Sequence, residues 1–196
     1  MWVFGYGSLM FKADYEDIVE RAVGYVPGWR RTWNQGSTDH RGTEAFPGRV
    51  VTVERGGAED RCWGVAYRLD RGGDDAGTLA ALEVREKQYD LRLSLPVHVV
   101  EPGADGKVGG RQPTGEVITA LAYVGSPDRT TNANYAGPPT SIEAAADQIA
   151  NAVGPSGPNT EYLFKIADFM RSVGVDCPET FALEAAVKAK VNANEG

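Results

Sequence analysis

Thr140-Ser141-Ile142-Glu143 divides this 196-residue chain into two unlike parts. The four residues fit a capping box, a Thr hydroxyl closing the first turn and a Glu three positions on reaching back. They predict a helix from residue 140 to about 153, broken by Gly154-Pro155-Ser156-Gly157-Pro158. A second helix, capped by Asn159 or Thr160, runs to about 173, where Gly174 stops it. Pro178 sits in the first turn of a third, which ends at about 191. Upstream the pattern is different. Trp2-Val3-Phe4 and the segments 22–26, 31–33, 49–53, 62–69, 95–100 and 116–124 are β-branched or aromatic-rich, separated by signals such as Pro27-Gly28 and Gly56-Gly57. One helix, about 76–89, interrupts the strands, and 102–114 reads as an exposed loop. Strands first and helices afterwards predict an α+β fold, not alternating βαβ units. With no repeat or linker in view, one domain is expected over 1–196, its helical part (about 140–191) packed on the strands.

Composition narrows the function classes. A 42% hydrophobic share with 24% charged residues describes a folded globular chain. The 27 acidic and 20 basic side chains give a formal charge of −7, which argues against a nucleic-acid partner, since that needs a basic face. Cys62 and Cys177 form no CxxC pair, so neither a disulfide scaffold nor a structural zinc site is expected. No apolar run approaches the roughly 20 residues that span a bilayer, so no membrane partner is expected. Met1-Trp2-Val3-Phe4-Gly5 lacks the marks of a signal peptide, and a reducing, cytoplasmic setting is the expectation. Glycine is enriched, 24 of 196, suggesting many tight turns between short strands.

Two segments carry candidate chemistry. In the 76–89 helix, Leu79, Leu82, Glu86 and Tyr89 fall in one narrow stripe at ~100° per residue. That places the Glu86 carboxylate within an apolar face, where desolvation raises its pKa and makes it a better base near neutrality. The plainer alternative is a rim glutamate paired with Arg85 or Arg30. Gly5-Tyr6-Gly7-Ser8-Leu9 follows a strand, and its glycines permit positive φ and close approach of a ligand; its backbone N–H groups suit an anion or oxyanion. An ordinary turn is the alternative. It is neither a Walker loop nor GxGxxG, and neither Ser8 nor Ser156 lies in a GxSxG elbow. Cys62 begins an apolar strand, as a buried, inert thiol does. Two histidines, His40 and His98, cannot supply a His-rich metal site. Residues 34–43 (Asn34-Gln35-Gly36-Ser37-Thr38-Asp39-His40-Arg41-Gly42-Thr43) read as a solvated loop or as a polar site wall. Residues 128–139 read as a flexible loop or a lid.

These pieces occur together. Trp2-Val3-Phe4-Gly5-Tyr6-Gly7-Ser8-Leu9, Gln35-Gly36-Ser37-Thr38-Asp39-His40-Arg41-Gly42-Thr43, Pro47-Gly48-Arg49-Val50-Val51-Thr52, Trp63-Gly64-Val65-Ala66-Tyr67, Arg85-Glu86-Lys87 and Gly154-Pro155-Ser156-Gly157-Pro158-Asn159-Thr160-Glu161-Tyr162-Leu163 resemble ChaC-type γ-glutamylcyclotransferases, in the family's order and over nearly the whole chain. The resemblance implies a mixed β-barrel with flanking helices. It also implies cleavage of a small-molecule substrate, glutathione, to 5-oxoproline and cysteinylglycine, with no cofactor and no metal. Glu86 matches the family's catalytic glutamate. Val3, Phe4, Gly5, Tyr6, Gly7 and Ser8 match its substrate-binding loop, and Tyr162 aligns with a tyrosine expected to line the pocket. Leu9, Gln35 and Arg41 are further substrate-binding candidates, Arg41 with Arg30 for the glycyl carboxylate. Many relatives read Arg-Glu-Lys-Gly-Gly-Tyr; here Gln88-Tyr89-Asp90 follows Lys87, similar to the plant-type branch. Residues 129–133 also look longer than usual. The rival readings are another γ-glutamyl peptide or amine as substrate, a non-catalytic module binding an anion at 5–9, and a serine or thiol hydrolase.

Overall fold

The computed structural model describes residues 1–13, 17–70, 72 and 75–194. Five strands close a barrel: β1 (Trp2–Gly5), then β5 (Arg61–Leu69), β2 (Ile18–Pro27), β6 (Leu91–Val99) and β7 (Val117–Val124). Neighbours are antiparallel until the seam, where β7 meets β1 in parallel at Val3 and Leu121. Val3, Val65, Ala66, Val97, Ala120 and Ala122 on these strands are buried. Closure is tight enough to need glycine within strands as well as between them. Gly24 faces Gly64 across β2 and β5; a Cβ on Gly64 would lie 2.4 Å from the Gly5 carbonyl oxygen, and one on Gly24 2.5 Å from that of His98. Part of the glycine excess therefore serves close approach rather than turns.

Outside the barrel, β3 (Trp29–Ser37) and β4 (Gly48–Arg55) form a two-stranded sheet with an irregularity between Thr32 and Gln35. The polar stretch after Trp33 is thus no solvated loop at its start: β3 continues through Ser37, burying Asn34, Gln35 and Ser37. Three helices complete the chain, α2 (Ile142–Asn151), α3 (Asn159–Ser172) and α4 (Pro178–Asn194). The cap of α2 is Ser141 rather than Thr140, its side chain accepting from the Ala144 N–H at 3.1 Å. The Gly/Pro-rich break is a tight hairpin of β8 (Val153–Gly154) and β9 (Gly157–Pro158). Gly174, at φ +69, ends α3 as expected, with Val175 N donating to Met170 O. In the 102–114 loop Val108 is fully buried, and the N–H groups of Val108 and Gly109 bond to Val173 O.

Among the described residues no strand lies beside the outer edge of β4, away from β3, and its N–H and C=O groups must find other partners. Side chains supply them. Asn159 does not cap α3; its Oδ1 accepts from Arg49 N at 2.6 Å and its Nδ2 donates to Arg49 O at 2.9 Å, and the residue is fully buried. Two residues along, Val51 N donates to the Tyr162 hydroxyl at 3.4 Å while the Tyr89 hydroxyl donates to Val51 O at 2.9 Å. Helix α3 and the chain after α1 (Asp75–Arg85) are both fastened to β4 in this way. Asn159→Ala leaves two buried backbone groups unpaired, so we expect about 2–4 kcal/mol less stability in urea unfolding with an unchanged m-value.

Candidate active site

Helix α1 ends at Arg85, four residues earlier than the periodicity suggested, and its buried side passes through Thr78 and Leu82 while Leu79 is 39% exposed. Glu86 therefore sits just past the last helical residue. Its N–H still donates to Leu82 O, and its carbonyl accepts from Tyr89 N at 2.9 Å, so 86–89 forms a turn. The Glu86 side chain is only 13% exposed and takes one hydrogen bond from Arg85 Nε at 3.1 Å. Both readings of this glutamate hold in part: it is desolvated, and it is paired with Arg85. Burial lifts its carboxyl above the usual glutamate range and Arg85 opposes this without cancelling it. The phenols of Tyr6, Tyr89 and Tyr162 lie close enough to feel its charge, and burial raises each of them.

Two adjoining cavities share Glu86, Ser8 and Tyr89. The larger, of about 190 Å³, is also lined by Lys12, Gln35, Ser37, His40, Arg41, Arg85, Gln88, Ser156 and Tyr162. The smaller, of about 30 Å³, is lined by Phe4, Gly5, Tyr6, Gly7, Leu9 and Tyr123 beside the shared three. Residues 8–10 form a single 3-10 turn, closed by Met10 N donating to Gly7 O at 3.0 Å. The N–H groups of Ser8 and Leu9 stand at its open end, where a helix has no acceptor of its own. Neither Gly5 nor Gly7 has positive φ. Glycine is needed for packing instead: a Cβ at Gly5 would lie 2.4 Å from that of Leu9, and one at Gly7 3.0 Å from the Tyr162 hydroxyl.

The fold gathers Glu86, Phe4, Gly5, Tyr6, Gly7, Ser8, Leu9, Gln35, Arg41 and Tyr162 around these cavities. Val3 stays apart, buried in the barrel wall opposite Tyr67 and Leu121. Arg30 is exposed and reaches Glu54. Arg41 donates to Glu161 Oε2 at 2.8 Å and to Pro158 O at 3.1 Å; with Lys165 it holds the Glu161 carboxyl at about 2. Sequence reasoning missed Lys12, Arg85 and Gln88 as lining residues, although two of them flank Glu86 closely. Cys62 is buried and burial pushes its thiol up to about 11, while His98 stacks on Tyr25. Among the described residues no His, Cys, Asp and Glu cluster fit for a metal ion occurs, and no helix is long and apolar enough to cross a membrane.

The family model described as ChaC-like protein matches residues 1–190. The chain belongs to the ChaC-like family. This ChaC-like chain is 43% identical over 174 residues to Gamma-glutamylcyclotransferase 2-3 of Arabidopsis thaliana, covering 89% of the chain and 81% of the relative. It is 39% identical over 194 residues to Glutathione-specific gamma-glutamylcyclotransferase 1 of Danio rerio, covering 97% and 90%. The crystal structure of a γ-glutamyl cyclotransferase specific to glutathione from yeast has a TM-score of 0.81 at 26% identity, covering 96% of each chain. The expected mixed barrel with flanking helices is thereby the fold.

A carboxyl raised in the folded state binds its proton more tightly there than in the unfolded chain. Stability therefore falls as pH climbs from the ordinary glutamate range through the raised folded value, and is full below that window. Urea unfolding at about pH 4 and about pH 8 should show Glu86→Gln to be more stable than the parent at the higher pH, the gap closing at the lower.

Proposed function

We propose that the chain is a glutathione-specific γ-glutamylcyclotransferase, releasing 5-oxoproline and cysteinylglycine in the cytoplasm. The observation that carries the reading is a desolvated carboxylate, Glu86, lining the same cavity as Ser8 and Leu9 of the 8–10 turn. The substrate supplies its own nucleophile: the α-amine of the γ-glutamyl group attacks the γ-carbonyl and closes a five-membered lactam. Glu86 takes the proton lost by that amine and delivers it to the departing amine of cysteinylglycine. The N–H groups of Ser8 and Leu9 receive the oxyanion, each worth about 3 kcal/mol in such a role. Tyr6, Tyr89 and Tyr162 keep water from the carboxylate, and the walls hold amine and carbonyl in contact. Lys12, Arg41 and Arg85 give the larger cavity a cationic lining suited to an anionic tripeptide.

One contact favours a hydrolase instead. Ser156 Oγ lies 3.3 Å from His40 Nδ1, both at the cavity wall. Both residues are exposed, and Asp39 Oδ1 stands 3.7 Å from His40 Nε2, beyond a hydrogen bond. An assay of 5-oxoproline from glutathione, γ-glutamyl-alanine and a γ-glutamyl amine in competition separates these readings. Glutathione should have the highest kcat/KM, and Ser156→Ala should keep kcat within about threefold, a change too small for loss of a nucleophile. Preference for a γ-glutamyl amine would move the substrate elsewhere, and abolished turnover in Ser156→Ala would favour the hydrolase.

A further inference from the structure

The loop 126–137 contributes none of the described residues lining either cavity. It is no lid. It lies against β3, with Gly36 N donating to Asn134 O at 2.7 Å and Ala136 N to Asn34 O at 2.9 Å. From there it grips the chain just after Glu86 at two points. The first is Asp90: Ser126 N donates to Asp90 Oδ1 at 2.8 Å, while Ser126 Oγ and Thr131 Oγ1 donate to Oδ2 at 2.6 and 2.7 Å. The second is the carbonyl of Gln88, which accepts from Gln35 Nε2 at 2.9 Å. Gln35 is fully buried, and its amide is fixed by Asn132 in both directions: Gln35 Nε2 donates to Asn132 Oδ1 at 3.1 Å, and Asn132 Nδ2 to Gln35 Oε1 at 2.9 Å. Asn132 is itself buried and also donates to Ser126 O at 2.7 Å.

Glu86 needs such support. It lies beyond the end of α1, and a single helical hydrogen bond, to Leu82 O, ties it to that helix. The aim of its carboxylate therefore depends on how the 86–90 turn is held.

We propose that residues 126–132 are a clamp on the 86–90 turn, making Asp90, Thr131 and Asn132 positioning residues that aim the Glu86 carboxylate without touching the substrate. The inference rests on the reading of Glu86 as the general base. Partial burial alone would raise the Asp90 carboxyl, but the hydrogen bonds from Ser126 and Thr131 outweigh it and hold it below the usual range, as a permanently charged anchor requires. Residues 88–90 and the 126–132 loop are thus the two halves of one contact.

The test is the charge-preserving double variant Ser126→Ala/Thr131→Val, with Thr131→Val and Thr131→Ser alone beside it. Two readings are taken: kcat and KM for 5-oxoproline release from glutathione, and the Glu86 carboxyl titration followed by carbon NMR. The groups facing that carboxyl are Arg85 on its own segment, Tyr6 from the loop after β1, Tyr89 from the turn and Tyr162 from α3; none is altered. In the double variant and in Thr131→Val we expect kcat to fall about tenfold with KM within about twofold, as for a misaimed base. Glu86, better hydrated, should titrate at lower pH, and Thr131→Ser should behave as the parent does. A folded Thr131→Val with parental kcat and a parental Glu86 titration overturns the clamp. The NMR titration decides this even if the parent proves inactive on glutathione, a result that would strike the functional reading alone.

Discussion

An unpaired strand edge organises this molecule. The outer edge of β4 offers backbone donors and acceptors at Arg49 and Val51, and three side chains from distant segments answer them: Asn159, Tyr162 and Tyr89. Burying such an edge unsatisfied costs about 1–3 kcal/mol per group, so these contacts fix where α3 and the turn after α1 lie. The cavity is the space they leave. Two of the three also wall it, and a side chain at Gly7 would press on the Tyr162 hydroxyl and Val51, which the loop carrying it passes closely. Structure and site thus share the same few hydrogen bonds.

Electrostatics works locally, against the global charge. A chain of formal charge −7 repels an anion at long range, yet among the described residues the cavity wall carries Lys12, Arg41 and Arg85 against one carboxylate, that of Glu86. Arg41 is partly compensated by Glu161, and Arg85 by Glu86. Glu86 is held where burial disfavours its charge, a local instability of the kind that makes a side chain useful as a base. The tyrosines around it exclude water without supplying a charge of their own, since burial raises their phenols further.

The barrel strands and three helices were legible because alternation, glycine and proline act locally. Glu86 was legible by a partly mistaken route: the helix stops short of it, and Leu79 is exposed, so its burial comes from the turn and from tyrosines on other segments. Asn159 illustrates the limit. At a helix start it reads as a cap, yet its amide is recruited by a strand 110 residues away in sequence. Nothing local distinguishes the two uses, because an Asn side chain satisfies either backbone. The same holds for Gln35 and Asn132, whose reciprocal amides mark a loop as a buttress where polarity alone suggested a lid or a flexible tip. Gly5 and Gly7 line the smaller cavity, but glycine there serves close packing rather than the positive φ that the sequence suggested.

The central claim, that Glu86 moves the protons of an internal cyclisation, is tested most directly by 5-oxoproline release from glutathione in the purified protein and in Glu86→Gln. Loss of about 10²–10⁴ in kcat, with the variant folded and still binding glutathione, is the result predicted for a general acid–base residue. Undiminished turnover in Glu86→Gln would contradict it.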